Sequence, residues 1–327
     1  PELIARHFDE AGRTEEAVEW WTKAGLLAQG KSAHEAAIDH FQRALDLTQE
    51  IEDEETRLNA EFQLQTPRGV SILSTQGYAA PQVGAIFERA RELSDQFGGP
   101  AERFFTLWGI WAWRIVKDQL DICCELADDA FAMEDAMADE GLRMEAHFMP
   151  GLTRFYMGHF DEGLKHCLAG VELYDEERCI EFTRFTGQNC GVTLWCYVAM
   201  NRIFLGYPEQ ARQAAATAVE IARRINSSYD LVFAVHHVGW VEHYWREPEI
   251  VLEAASEELS LSEQYGYLFW QSEGLVCRSY GHLLLGNFDQ AESDAKNGMD
   301  LMASTGSPLA RYQFLTTLAE VSLRRGN

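Results

Sequence analysis

Proline is rare in this sequence and basic residues are few. Eight prolines occur among 327 residues, and Pro100, Pro208, Pro248 and Pro308 stand where a helix would start or a turn would fall. Lys and Arg number 27 against 52 Asp and Glu, a net charge of −25. A surface this negative repels phosphate backbones and anionic headgroups, which argues against nucleic acids and membranes as partners. Long hydrophobic runs are missing as well. Stretches such as Phe104–Trp113 fall well short of the ~18 residues that a spanning helix needs, and no basic start followed by an apolar run marks a signal peptide. The seven cysteines are odd in number and lack any C-x-x-C spacing. With Cys167 and Cys196 set among small and apolar residues, reduced buried thiols in a cytoplasmic protein are expected. The sequence opens at Pro1 in a helical pattern, as a piece of a larger protein would.

What is present is self-similarity. Apolar residues make up 46% and aromatics 12%, enough for a packed core. The segments beginning at Tyr156, Phe204 and Leu284 each carry a turn glycine, then small residues at fixed offsets. With Gly158, Gly206, Gly286 and Gly326 as references, steps of 40 residues also land on Tyr78, Asp118 and Arg246. Five residues past the reference stand Val83, Cys123, Gly163, Ala211, Val251 and Ala291. Nine past it stand Phe87, Ala127, Cys167, Ala215, Ala255 and Ala295; twelve past it, Ala90, Ala130, Gly170, Ala218, Glu258 and Gly298. Small side chains at three- and four-residue spacing let a second helix approach closely, and repetition lets each hairpin bury its neighbour's face. No alternating strand pattern competes. The predicted fold is all-α, a right-handed solenoid of TPR-like helical hairpins with a period of about 40 residues, against about 34 for the usual tetratricopeptide motif. Residues 51–327 form the regular array. Residues 1–50 are expected to be irregular hairpins continuous with it, because Ala17, Trp21, Ala24 and Ala37, Phe41, Ala44 repeat the signature only 20 apart. The extra residues around "DEERCIEFTRFTG" are expected to form an extended loop.

"GLLAQGKS", Gly25–Ser32, matches the P-loop pattern at every fixed position. A working P-loop follows a buried strand and opens a helix at its phosphate cradle. Here the preceding residues have helical spacing, Ser32 and Glu35 form a capping-box pattern, and no strand ending in Asp follows. The expected reading is a turn between two helices, with Ser32 as the cap. No G-x-S-x-G occurs either, so no catalytic residue, metal ligand or cofactor is assigned.

If the first helix of each hairpin lines the concave groove, the repeat phase places Trp108, Phe148 and His236 there, ten residues before the turn. Trp240 and Tyr280 follow at six before, Phe155 and His243 at three before, with Tyr156 and Tyr244 beside them. Aromatic rings with polar edges suit a peptide or a small-molecule ligand; packing against neighbouring hairpins is the alternative. Four before the turn, Arg114, Arg154 and Arg202 share one column and are candidates for holding an anion. Pairing with the acidic residues of the second helices competes with that role. His236, Trp240 and His243 share a face, but Trp holds the slot where zinc would want its second histidine.

Longer stretches have a likeness of their own. "QGYAAPQVGAIFERARELSDQFG", "FTLWGIWAWRIVKDQLDICCELAD", "GQNCGVTLWCYVAMNRIFLGYPEQA" and "STGSPLARYQFLTTLAEVSLRRGN" resemble the C-terminal helical region of bacterial class III adenylate/guanylate cyclases, although "GQNCGV" departs from the Gly-Gln-Asp-Pro-Gly-Val expected there. That resemblance implies a non-catalytic regulatory tail behind cyclase and AAA-type ATPase domains. It would bind a protein partner or those upstream domains. The helical sensor regions of LuxR-type ATP-dependent regulators are similar, and they would imply a metabolite in the groove.

Overall fold

The computed structural model describes residues 1–31, 33–134, 137, 139–309 and 311–326. The described residues form seventeen α-helices: α1 (Glu2–Glu10), α2 (Thr14–Gln29), α3 (His34–Thr48), α4 (Glu54–Gln76), α5 (Pro81–Phe97), α6 (Pro100–Ile115), α7 (Leu120–Phe131), α8 (Glu140–Tyr156), α9 (Phe160–Glu172), α10 (Glu176–Thr186), α11 (Cys190–Phe204), α12 (Pro208–Arg224), α13 (Ser228–Trp245), α14 (Pro248–Tyr265), α15 (Leu268–Leu284), α16 (Phe288–Thr305) and α17 (Arg311–Arg325). Consecutive helices pack as hairpins. The first helices of successive hairpins (α4, α6, α8, α11, α13, α15, α17) also touch one another. The second helices (α5, α7, α9, α12, α14, α16) pack on the first helices that flank them. This produces a layered α-solenoid with an inner and an outer layer.

The repeat columns explain why. Every residue of the three small-residue columns is buried, from Val83 to Gly298. Phe87, the one large member of its column, fits because its ring lies where Gly69 and Gly109 have no side chain. A Cβ on Gly109 would stand 2.2 Å from that ring. The turn column demands a left-handed backbone. Gly158, Gly206, Gly286 and Gly326 have φ near +80°; of the three non-glycine members, Asp118 at φ 58° and Arg246 at φ 67° pay for the same conformation, while at Tyr78 the preceding Gly77 takes it at φ 83°. Pro81, Pro100, Pro208 and Pro248 open α5, α6, α12 and α14, where a missing N–H costs nothing.

Two local expectations need correction. The insertion after α9 is a helix, α10, and not an extended loop. Asp175 caps its start by accepting from the Arg178 amide, and Gly187 closes it in the left-handed conformation. The segment with the P-loop pattern lies mostly inside α2. Gly25 is there because the Phe41 ring of α3 rests on it, with Phe41 Cε1 only 2.4 Å from where a Cβ would stand. Ala33 occupies the N-cap of α3 without a side-chain cap; the expected capping residue Ser32 lies outside the described residues. The Ala–aromatic–Ala signatures 20 residues apart belong to α2 and α3, which face each other. With α1 they enclose a small core of their own, separate from the main one.

Contacts distant in sequence curl the array. The Lys117 ammonium donates to the Gly306 carbonyl at 2.9 Å, and the Ser307 hydroxyl donates to the Val116 carbonyl at 3.1 Å. The turn after α6 thereby meets the turn before α17. α10 touches α4, α8 and α11, all inner-layer helices, so it lies on the inner side. The Tyr78 hydroxyl anchors its end on the Thr186 carbonyl at 2.9 Å.

Candidate functional site: the inner face

Helices α8, α11, α13 and α15 present a continuous aromatic wall. Phe155 meets Tyr156, Phe160, Tyr197 and Phe204 with ring centroids 5.4–5.8 Å apart. Phe204 meets Tyr244 at 4.8 Å, Tyr244 meets Trp240 at 5.8 Å, and His243 lies 4.2 Å from Tyr280. The Tyr156 and Tyr197 hydroxyls are 3.2 Å apart. Phe204 and Tyr244 remain open to solvent at 41% and 43% exposure, a large apolar surface to leave uncovered.

The structure divides the expected groove residues. Phe155, Tyr156, His243 and Tyr244 are half-buried or exposed on the wall. Trp240 and Tyr280 lie behind them, nearly covered, and the Tyr280 hydroxyl donates to the Gln313 carbonyl at 3.1 Å. Trp108 and Phe148 are each 1% exposed. They belong to the packed interior, against Tyr78 and Trp111, and against Trp111 and Tyr197. A solenoid that curls tightly narrows its inner side, and residues ten before the turn are covered by the next helix.

His236 is also interior. Trp240 Nε1 donates to its Nε2 at 2.7 Å, so in the neutral ring the proton sits on Nδ1, 3.0 Å from Glu258. Glu273 approaches Nε2 at 3.5 Å. Burial would depress this histidine, but Glu258 and Glu273 outweigh burial and raise its pKa. Burial pushes Glu273 up to about 7 and raises Glu258, with His236 opposing in both cases. His237, buried beside it and bonded to the Phe233 carbonyl at 2.8 Å, is lowered to about 3 by burial and by its neighbour His236; burial lowers His243 to about 4. Glu145 on α8 is 1% exposed. Burial drives its pKa up to about 8, against the pull of the nearby Cys190 thiol and Trp108 indole.

The arginine column is spoken for. Arg114 donates to Glu88 at 2.9 Å and to Gln119 at 2.8 Å. Arg154 reaches Asp128 at 2.6 Å and Glu162 at 3.4 Å. Arg202 donates to the Gln210 carbonyl at 3.3 Å, and burial lowers its pKa. Two of the three guanidiniums are thus neutralised by carboxylates of the outer helices. Among the described residues, no group of three or more His, Cys, Asp or Glu is placed to hold a metal ion, and no helix is long and apolar enough to cross a membrane.

Sequence reasoning missed Tyr197, Phe204, Tyr312, Glu145 and Glu273. Glu258 did leave a signal, as a charged residue in a column otherwise small.

The comparisons agree on the class of fold. No protein-family model matches the chain. A Rap protein solved in complex with Competence and Sporulation Factor superposes with a TM-score of 0.67 at 12% identity, covering 94% of this chain and 85% of that one. The apo form of RapI gives 0.53 at 12%, covering 94% and 87%. A Signal Transduction ATPase with Numerous Domains from Pyrococcus horikoshii, with a tetratricopeptide repeat sensor, gives 0.52 at 12%, covering 87% of this chain and 42% of that one. In sequence, an uncharacterized protein of Rhizobium meliloti (strain 1021) is 19% identical over 311 residues. These are 93% of this chain and 30% of that relative, so the chain spans less than a third of its length. The fold is a tetratricopeptide-like α-solenoid.

Proposed function

We propose that the chain is a non-catalytic scaffolding module of a larger signalling protein, and that it binds a polypeptide along its inner face. The partner is another protein or another domain of the same parent. The observation that carries this reading is the partly exposed aromatic wall on α8–α15, set on rigid helices and repeated from hairpin to hairpin. Concave apolar surface with polar edges is what an extended or helical peptide uses. The Rap protein with Competence and Sporulation Factor supports the reading as a solenoid of this fold solved with a bound factor. The resemblance to cyclase tails and the greater length of the Rhizobium relative fit a parent with cyclase and ATPase domains elsewhere. A metabolite in the groove has less behind it. The hollow beside the wall, lined by Ile203, Phe204, Gly206, Tyr244, Trp245 and Arg246, opens to solvent at the solenoid's edge.

The test is a selection of random peptides against the folded chain, followed by titration of the enriched sequences. The reading expects binders that lose about tenfold or more in affinity, about 1.4 kcal/mol, when Phe204 and Tyr244 are both changed to Ala. Binders indifferent to that change, or no enrichment at all, would count against it.

A further inference from the structure

Two glycines let α8 and α9 pack closely. A Cβ on Gly151 would stand 2.8 Å from the Cys167 sulfur and 3.5 Å from the His166 Cβ, and one on Gly170 would stand 3.3 Å from the His147 Cβ. His147 lies one turn before Gly151 and His166 one turn before Gly170, so each histidine sits on the face that meets the other helix. Their Nδ1 atoms end 3.3 Å apart across the interface. Two protons do not fit between nitrogens at that distance, so at least one Nδ1 presents a bare lone pair. Glu134 decides which. Its carboxylate lies 3.8 Å from His147 Nε2 and is itself held by Arg143 at 2.8 Å. The proton of a neutral His147 ring therefore sits on Nε2, toward the carboxylate, and Nδ1 is left as an acceptor. The Phe131 ring, at the end of α7, borders both imidazoles with centroids 5.1 and 4.8 Å away. Neither histidine is sealed, and both keep part of their surface in solvent.

We propose that His147 and His166 chelate a zinc ion through their Nδ1 atoms. A tetrahedral zinc at its usual distance from imidazole holds two ligand nitrogens about 3.3–3.4 Å apart, which is the separation present. Binding moves the His166 proton from Nδ1 to Nε2, so both rings ligate in the neutral form. Glu134 beside His147 Nε2 is the carboxylate that a metal-bound histidine carries on its other nitrogen, where it fixes the tautomer and raises ligand basicity. Imidazole suits zinc and is a poor match for magnesium, which prefers oxygen. The net charge of −25 draws cations toward the chain. Two protein ligands converge, and water or a side chain of a bound partner completes the tetrahedron. This site does not depend on peptide binding along the aromatic wall.

ZnCl2, with MgCl2 as the control, is titrated into the intact chain carrying 15N-labelled histidine. One equivalent of zinc should shift the Nδ1 resonances of both His147 and His166, and magnesium should shift neither. By calorimetry, His147→Gln and His166→Gln should each weaken zinc about tenfold or more. Glu134→Gln keeps both imidazoles and should still cost about tenfold. Circular dichroism checks that each variant folds, and where one does not, the nitrogen shifts of the wild type decide. Zinc that shifts only the exposed His7 or His159 would overturn the site. So would zinc that binds both histidine variants as tightly as the wild type, as it would on Cys124, or an absence of saturable binding.

Discussion

The two layers of the solenoid obey different rules. In the outer helices the buried positions are mostly small or apolar, with Glu258 and Asp294 the charged exceptions, and one column runs from repeat to repeat: Ala127, Cys167, Ala215, Ala255 and Ala295 fill it and are all sealed. The inner helices bury Glu145, Asp230, His236, His237 and Glu273, and leave Phe204 and Tyr244 exposed. The outer layer is thus where stability accumulates by repetition, and the inner layer is where stability is given up. Buried carboxyls and exposed rings both cost free energy unless something else uses them.

The largest effect expected from breaking the comparison is in the outer layer. Phe87→Ala empties the space made by Gly69 and Gly109 and should cost about 3–5 kcal/mol, read as a lower denaturant midpoint. Next comes a pH-dependent effect in the inner layer. Glu145 has a folded pKa of about 8, above its unfolded value of 4.5. The folded state therefore holds a proton that the unfolded state has lost, and stability falls as pH rises from about 4.5 through 8. Glu145→Gln should match the wild type near pH 4.5 and exceed it by about 4 kcal/mol at pH 8.5. Parallel slopes for the two proteins would show that Glu145 titrates normally.

His237 and His243 act on the acid side with the opposite sign. Their folded pKa values of about 3 and 4 lie below the unfolded 6.5. The unfolded state binds more protons there, so stability declines as pH falls below about 6.5. His243→Gln should make that decline shallower. A smaller change sharpens the turn column. Arg246→Gly relieves a left-handed backbone at φ 67° and should stabilise by about 0.5–1 kcal/mol, seen as a rise in Tm. The smallest stability effect belongs to the wall: Tyr244→Ala should move the denaturant midpoint by no more than about 0.5 kcal/mol, while weakening any peptide the wall binds.

The same contrast explains what the sequence revealed. The outer layer was legible because close packing forces a repeated small residue, and the period exposes it. The turn column was legible even at Asp118 and Arg246, where the residue is wrong for the conformation but the phase holds. α10 was not, since one short capped helix looks like an insertion until its partners on α4, α8 and α11 are known. The wall was half legible. Phase identified Phe155, Tyr156, His243 and Tyr244, but it could not reveal how tightly the solenoid curls, and so it placed Trp108 and Phe148 on the surface. The arginine column was real in sequence, and in space Arg114 and Arg154 are absorbed by acidic neighbours while Arg202 bonds a backbone carbonyl. The matched P-loop pattern carries a separate lesson: its Gly25 serves the Phe41 ring, a packing need that produces the same letters as a phosphate cradle.

The central claim is that a polypeptide lies along the inner face. Hydrogen–deuterium exchange of the chain with and without a peptide enriched from the random library tests it directly. Peptide lying there should slow exchange in the inner helices α11, α13, α15 and α17 and leave the outer helices α12, α14 and α16 unchanged. Protection confined to the outer helices would contradict it.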